Sequence, residues 1–491
     1  MLWDAIAKRA NDPTHSRRLA IISDEASLTY VELAERVETL AHALREVGVR
    51  EGHAMLAQLD NVPAFLVALL ASARVRATFA PIDIGATDAE IEGIAELTRS
   101  DLIIGAASEA ARSERLFRNV VSLDAAGSVM SVRAPSLSAP SIAPNIGCMQ
   151  FSSGTTGASK GILLSHEAFF YRSHYLMRSL GLTDADRTLC ALPLSHPHGS
   201  ECLALPTLMA GGSLYVKSPK FSFPLYILEE LAKHRITFFS SIPQFYDFAV
   251  KLGLGTPPDL SALRLPFCGS AALSQVTAEN FRTKYGVHIR QGYGLAELAV
   301  ICINHHDTGN IVYDSVGKPI EGIEWQLVGG DSESEGELVV RSKAMFSGYI
   351  NDEEATRAKL RDGWLYTGDV VSIDADGRFR IVGRKEDFIK VNGFKVYAAE
   401  VEKAIVGLPW IKECAVVSEK DALGTERIVA HIVPTDSTRS SEEMHALLIR
   451  DLRMTLSEHK LPKRCVAWPE LPKNPLGKIL KSQIAAVSTT K

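Results

Sequence analysis

Residues 149–160, MQFSSGTTGASK, gather Ser152, Ser153, Gly154, Thr155, Thr156 and Gly157 into one loop, with Lys160 behind it. Glycines let a backbone approach an anion closely, and backbone N–H groups and hydroxyls can then hydrogen-bond phosphate oxygens. Gly, Ser and Thr content alone fits a polar linker equally well. The strand-like residues before the loop and the placed lysine favour phosphate binding. GxxxxGK[ST] cannot be laid over these residues, so the kinase or GTPase chemistry of that loop is disfavoured. Cys190, His196, His198 and Cys202 invite a zinc reading, but C-x5-H-x-H-x3-C is not a usual zinc spacing. Structural and pocket roles are expected for these four, and His305 and His306 read as loop.

The elements that must position these residues are legible from periodicity. Leu33, Val37, Leu40 and Leu44 recur at helical spacing within 28–47, and Gly48 fits the stop. The longest apolar run, Ala64 to Ala73, ends at Arg74. It is about half of the ~20 residues that a membrane span requires, so it reads as a buried helix. Residues 124–145, rich in Ser, Ala and Pro, read as a surface connection. Strand-like runs SLYVKS, ITFFSSI, LRLPFCG and HIRQGYG alternate with helices near 225–234, 243–252 and 274–285, which argues for a mostly parallel α/β architecture. From about 311 the chain turns to short strands with Gly or Asp-Gly turns. After Arg384 follows a small α+β unit: a helix at 398–408, strands at 411–418 and 427–433, and a helix opened by the capping box of Ser440 and Glu443.

The chain has 491 residues, enough for two or three domains. Its 46% hydrophobic and 23% charged residues are globular proportions. A net charge of −5 does not suit a dedicated nucleic-acid binder. Residues 384–491 hold 18 basic and 14 acidic side chains, against 35 and 44 in the remainder. A basic unit beside an acidic one suits phosphate chemistry at their junction, as does chance surface composition. Seven scattered cysteines without a CxxC pair, and an N-terminus without a long apolar run, predict a reduced, cytoplasmic protein.

Taken in order, the segments from Met149 to Lys160, LPLSHPHG (192–199), FCGSAAL (267–273), QGYGLAE (291–297), GWLYTGD (363–369), GRKEDFIKVNGFKVYAAEVE (383–402) and PKNPLGKILK (472–481) resemble the adenylate-forming, AMP-binding superfamily. That family contains acyl- and aryl-CoA ligases, stand-alone adenylation domains and luciferases. The resemblance covers essentially the whole chain. It implies an α/β fold: a large N-terminal domain (1–383) of layered α/β subdomains with a distorted β-barrel, then a small mobile α+β domain (384–491). The activity it implies is ATP-dependent conversion of a carboxylic acid to an acyl-adenylate and pyrophosphate, followed by transfer to the thiol of CoA. The alternative is a stand-alone acyl-AMP ligase that loads a separate acyl or peptidyl carrier protein through its phosphopantetheine. A luciferase-like oxygenase and a non-catalytic nucleotide-binding scaffold are the further alternatives.

The resemblance also assigns roles. Lys478 stabilises the adenylation transition state, Glu297 holds Mg²⁺ on the ATP phosphates, and residues 152–157 with Lys160 bind phosphate. Gly269, Ser270, Ala271 and Tyr293 contact adenine, Asp369 and Arg384 contact the ribose, and Gly294 and Ala296 belong to the same ATP/AMP-binding set. His196 gates the acid pocket, which His198 and Leu295 help to line. Glu386 is the hinge, where the family usually has Asp or Lys, and Gly393 lines the thiol tunnel. Ala296 stands where Thr is usual, removing one hydroxyl from the phosphate site. An Asp that would pair an α-ammonium is absent from residues 195–201, although Glu201 leaves an amino acid open; an aryl or aliphatic acid is favoured. A monomer or homodimer is expected, with no membrane span and no nucleic-acid partner.

Overall fold

A computed structural model describes residues 1–152, 160–221, 223–253, 255–305, 312–385, 387–391, 394–420, 426–435, 440–473 and 479–488. Among these residues the first 350 build two large sheets. One runs in the spatial order Lys318–Pro319, Ala299–Ile303, Arg290–Leu295, Leu265–Cys268, Phe238–Ser241, Arg187–Cys190, Ser213–Val216, Leu19–Ile22, Ser27–Thr29. Its six central strands are parallel and its edges antiparallel. This is what alternating apolar strands and helices require, because parallel neighbours need a crossover. Helices Pro224–Lys233, Pro243–Lys251 and Gln275–Tyr285 are those crossovers, at the expected places.

The second sheet is ordered Gly348–Tyr349, Lys160–Ser165, Ile146–Ser152, Thr78–Pro81, Ala54–Gln58, Leu102–Ala106, Asn119–Leu123, Val129–Arg133. The helix Tyr30–Glu46 buries Leu33, Val37, Leu40 and Leu44 and is capped by Thr29 and Glu32, each accepting from the other's backbone N–H. It packs against Pro63–Val75, the long apolar run, whose residues are buried nearly all round. Among the described residues no helix is long and apolar enough to cross a membrane.

One expectation fails. The 124–145 segment is not wholly a connection, because Val129–Arg133 pairs antiparallel with Asn119–Leu123 as an edge strand. Asp124 closes the hairpin by accepting from Ser128 N at 2.7 Å, and Gly127 supplies the positive φ of +84° that the turn needs. Its face is exposed, with Met130 60% accessible, so it carries no buried apolar periodicity to read.

Strands Glu324–Ser332, Glu335–Arg341, Trp364–Ile373 and Leu360–Arg361 form a half-barrel sheet, and Phe379–Arg384 pairs with Trp364–Ile373. Beyond it, residues 389–465 gather their own core around Val401, Ile405, Ala430, Ile432, Leu448 and Leu452. The helix Ala398–Val406 packs on Ile411–Lys420, which pairs antiparallel with Glu426–Pro434, and the helix Ser441–Leu452, opened by the Ser440–Glu443 box, packs on Arg464–Ala467, which runs parallel beside Glu426–Pro434.

Candidate active site

The central strands of the first sheet end on one edge, and the loops leaving that edge carry the candidate residues. His196 follows Arg187–Cys190, Gly269–Ala271 follow Leu265–Cys268, and Ala296 and Glu297 follow Arg290–Leu295, the strand that holds Tyr293, Gly294 and Leu295. In open α/β sheets the ligand crevice lies outside the carboxyl ends of strands, at the point where the strand order reverses and neighbouring loops turn to opposite faces.

Three clusters converge there. In the first, Asp369 Oδ2 accepts from the Tyr293 hydroxyl at 2.5 Å and Oδ1 pairs with Arg384 Nε at 2.7 Å. Asp369 and Arg384 face each other in register on adjacent strands, so sheet pairing alone brings them together. Thr367 Oγ1 accepts from the Asp369 backbone N–H. Burial pushes the Asp369 carboxyl above its usual range; Arg384, Tyr293 and Lys359 oppose that rise, and the Glu297 charge adds to it. Glu297 and Asp369 are therefore electrostatic neighbours. Burial and the Asp369 carboxylate push the Tyr293 hydroxyl up, so it stays a donor.

In the second cluster Glu297 Oε1 accepts from Tyr349 Oη at 2.5 Å, and the Glu297 carbonyl accepts from Phe346 N at 2.7 Å. Lys160 Nζ lies 5.1 Å over the Tyr349 ring and 3.5 Å from Asp352 Oδ2. Ser152 and Lys160 are register partners where the strands Ile146–Ser152 and Lys160–Ser165 pair antiparallel. Among the described residues Glu297 Oε2 accepts no hydrogen bond, and no group of three His, Cys, Asp or Glu could enclose a metal. A hard carboxylate oxygen left without a hydrogen bond does fit Mg²⁺, which takes one or two carboxylates and completes its shell with phosphate and water.

The third cluster contains the histidines. His198 is buried, with Nε2 2.6 Å from Ser240 Oγ and Nδ1 3.1 Å from Ser270 Oγ. Burial, helped by His196, pushes its ring down to about 3, so it is neutral. Gly269 is fitted to it: a Cβ there would stand 3.2 Å from His198 Cε1. Ser270 adopts φ +69°, a left-handed conformation rare for serine, which sets its hydroxyl beside that ring. His196 Nδ1 accepts from His198 N, and burial lowers the His196 ring against the opposing charge of Asp83. Leu295 is half-buried, while Gly294, Ala296 and Ala271 are exposed. Burial raises the Cys190 and Cys202 thiols to about 12, so neither is poised as a thiolate ligand.

Ser153, Gly154, Thr155, Thr156, Gly157, Glu386, Gly393 and Lys478 lie outside the described residues. Two side chains the sequence did not flag are part of the site: Tyr349 and Arg172. Arg172 is fully buried and pairs with Glu201, Nη1 to Oε2 3.0 Å. Gln150 Nε2 donates to the other Glu201 oxygen at 2.9 Å. Burial raises the Glu201 carboxyl and Arg172 opposes it. Glu201, which had left an amino-acid substrate open, is thus committed inside the protein.

Residues 8–350 match the family model of AMP-binding enzymes, and residues 400–478 match that of the AMP-binding enzyme C-terminal domain. The chain is 31% identical to feruloyl-CoA synthase from Amycolatopsis sp, with 97% of each chain covered. It is 29% identical to 4-coumarate–CoA ligase 3 of Oryza sativa subsp. japonica, over 94% of this chain and 87% of that one. The ATP-bound MatB structure from Rhodopseudomonas palustris superposes with a TM-score of 0.85 at 26% identity, covering 99% of each chain.

Proposed function

The chain belongs to the AMP-binding enzyme family, and from that premise we propose that it joins a carboxylic acid, aryl or aliphatic, to CoA through an acyl-adenylate. The observation that carries the reading is the convergence of Glu297, Lys160 and the Tyr293–Asp369–Arg384 chain at the carboxyl edge of the first sheet. A carboxylate oxygen attacks the α-phosphorus of ATP, and the bond to pyrophosphate breaks. A thiol then attacks the acyl carbon, and the bond to AMP breaks. The first nucleophile is already anionic, so positioning and charge neutralisation dominate over proton transfer.

Each residue has a task in this scheme. Asp369 accepts the ribose hydroxyls, and Arg384 and Tyr293 hold its two oxygens in place. The Tyr293 ring and the Gly269–Ala271 turn flank adenine. Lys160 and loop residues 152–157 take the phosphates. Glu297 would hold Mg²⁺, which when bound supplies charge neutralisation on the phosphates. Lys478 is assigned the carboxylate and α-phosphate oxygens on its motif.

The acid pocket begins at His196 and neutral His198. Both His198 nitrogens are engaged by serine hydroxyls, so His198 offers no charge to a substrate. With Glu201 held by Arg172 and Gln150, the pocket segment offers no carboxylate for an α-ammonium, which supports a non-amino acid. Relatives named feruloyl-CoA synthase and 4-coumarate–CoA ligase support the aryl class and CoA as acceptor. We take 1–383 and 384–491 as the two domains, with Glu386 as hinge and Gly393 on the thiol path; the separate core of 389–465 supports this division.

The test is acid-dependent pyrophosphate release from ATP over a panel of hydroxycinnamic, benzoic and straight-chain acids, with CoA or a phosphopantetheinylated carrier protein, products read by mass. An acyl-CoA and AMP are expected. Acyl-adenylate that loads only the carrier overturns the CoA assignment, and no pyrophosphate with any acid overturns the activity.

A further inference from the structure

Arg172 lies in the middle of the helix His166–Ser179, 29 residues before Glu201 and 125 before Glu297, and no site motif contains it. A buried guanidinium presents N–H donors on all three of its nitrogens, and each nitrogen needs an acceptor. Here Nε donates to the Ala344 carbonyl at 3.1 Å, Nη1 to Glu201 and Nη2 to the Ala296 carbonyl at 2.8 Å. Ala296 directly precedes Glu297. Ala344 opens the segment whose Phe346 N–H and Tyr349 hydroxyl bond the Glu297 carbonyl and carboxylate. The two backbone stretches that fix Glu297 are therefore tied to one side chain.

Glu201 anchors that side chain from behind. It sits in Ser200–Ala204, a wide π-helical turn that follows His196 and His198, and its second oxygen is held by Gln150, two residues before Ser152. Four segments meet at one ion pair: the strand that carries Gln150, the histidine segment, the turn of Ala296 and Glu297, and the turn of Ala344 that leads to Tyr349. A planar fork suits this task because its donors diverge in fixed directions, which a lysine cannot reproduce. Ala296, where the motif usually has Thr, contributes through its backbone carbonyl.

We propose that Arg172, backed by Glu201 and completed by Tyr349, is a positioning clasp that presets the Glu297 carboxylate for the metal–nucleotide, resting on the reading of Glu297 given above. Arg172 and Tyr349 touch no reacting atom and act through Glu297. Loss of the clasp leaves a mobile carboxylate, so the defect belongs to adenylation and to metal-dependent nucleotide binding, and spares thiol transfer.

The experiment measures ATP affinity by calorimetry with and without Mg²⁺, and both half-reactions, for wild type, Arg172→Lys, Tyr349→Phe, Glu297→Gln and the double variants with Glu297→Gln. Arg172→Lys is expected to weaken Mg²⁺–ATP binding about tenfold, the worth of a charge-assisted hydrogen bond. Its affinity for ATP without Mg²⁺ stays within about twofold, and thioester formation from supplied acyl-adenylate is unchanged. In the Glu297→Gln background neither substitution adds a further loss, because coupled residues are not additive. Equal losses with and without Mg²⁺, equal loss of both half-reactions, or full additivity with Glu297→Gln overturns the clasp. Tyr349→Phe removes one hydrogen bond at a half-buried position, and it must show the same Mg²⁺-specific loss if Arg172→Lys fails to fold. Wild type that binds Mg²⁺–ATP but activates no acid overturns the proposed activity alone, and the affinity comparison still decides the clasp.

Discussion

Replacing Asp369 by Asn should separate ligand binding from stability. The Asp369 side chain is only 5% exposed, and its partner Arg384 is 47% exposed. A half-exposed partner is screened by water and returns little. Burial already pushes the carboxyl above its usual range, so the fold disfavours the charged form. A carboxyl raised in the folded state favours folding below its unfolded pKa, and that contribution is lost as pH rises through the folded pKa. At neutral pH the wild type therefore bears a charge cost that Asn avoids. The ribose side differs. Two hydroxyls donating to a carboxylate gain about 1–1.5 kcal/mol each over donation to a neutral acceptor, or about 2–3 kcal/mol together. That is roughly a 30- to 150-fold rise in the ATP Kd. Calorimetric titration with ATP and thermal melts at pH 7.5 give both quantities. The expected result is weak ATP binding at a Tm no more than about 2 °C below wild type. An ATP Kd within about threefold of wild type would refute Asp369 as the ribose acceptor. A Tm lowered by more than about 5 °C would show that the pair with Arg384 holds the fold together.

Other expectations follow from the same geometry. Tyr293→Phe keeps the ring and removes one hydrogen bond to Asp369, so the ATP Kd should rise about 3- to 10-fold in the same titration. Gly294→Ala places a Cβ 1.9 Å from the Ala299 carbonyl oxygen, a backbone clash. It should cost about 3 kcal/mol or more by urea unfolding, and a cost under about 1 kcal/mol would contradict the packing. His198 is held at about 3 against an ordinary 6.5. Its contribution is present above pH 6.5 and lost as pH falls toward 3, so Tm should drop over that window, and His198→Asn should flatten the drop. Lys478→Ala should abolish adenylation while thioester formation from supplied acyl-adenylate survives; equal loss of both half-reactions would sink that division of labour.

What could be read from sequence follows from what is local. Leu33, Val37, Leu40 and Leu44 carry the helical period because one face of Tyr30–Glu46 packs inward. The strands 213–216, 238–241, 265–268 and 290–295 are apolar and separated by helices, so their parallel pairing was legible. Tyr293, Gly294 and Glu297 were legible as candidates because one short stretch contains them, Asp369 because it ends GWLYTGD, and Arg384 because it stands near the start of the segment 383–402. Val129–Arg133 was missed because an exposed edge strand has no buried face to betray it. Arg172 and Glu201 were missed as a pair because ionic partners 29 residues apart leave no periodic trace, and an arginine on a helix reads as a solvated side chain until its surroundings are known. Tyr349 was missed because a tyrosine beside a glycine has no spacing that points to a carboxylate 52 residues away.

In the proposed reaction a carboxylate oxygen becomes bonded to the α-phosphorus of ATP. That bond is read from an active acid labelled with ¹⁸O in both carboxylate oxygens, incubated with the enzyme, ATP, Mg²⁺ and CoA, with the products analysed by mass. The expected products are AMP carrying one ¹⁸O, unlabelled pyrophosphate and an acyl-CoA retaining one ¹⁸O. ADP with ¹⁸O in inorganic phosphate, the mark of an acyl phosphate, or unlabelled AMP would contradict it.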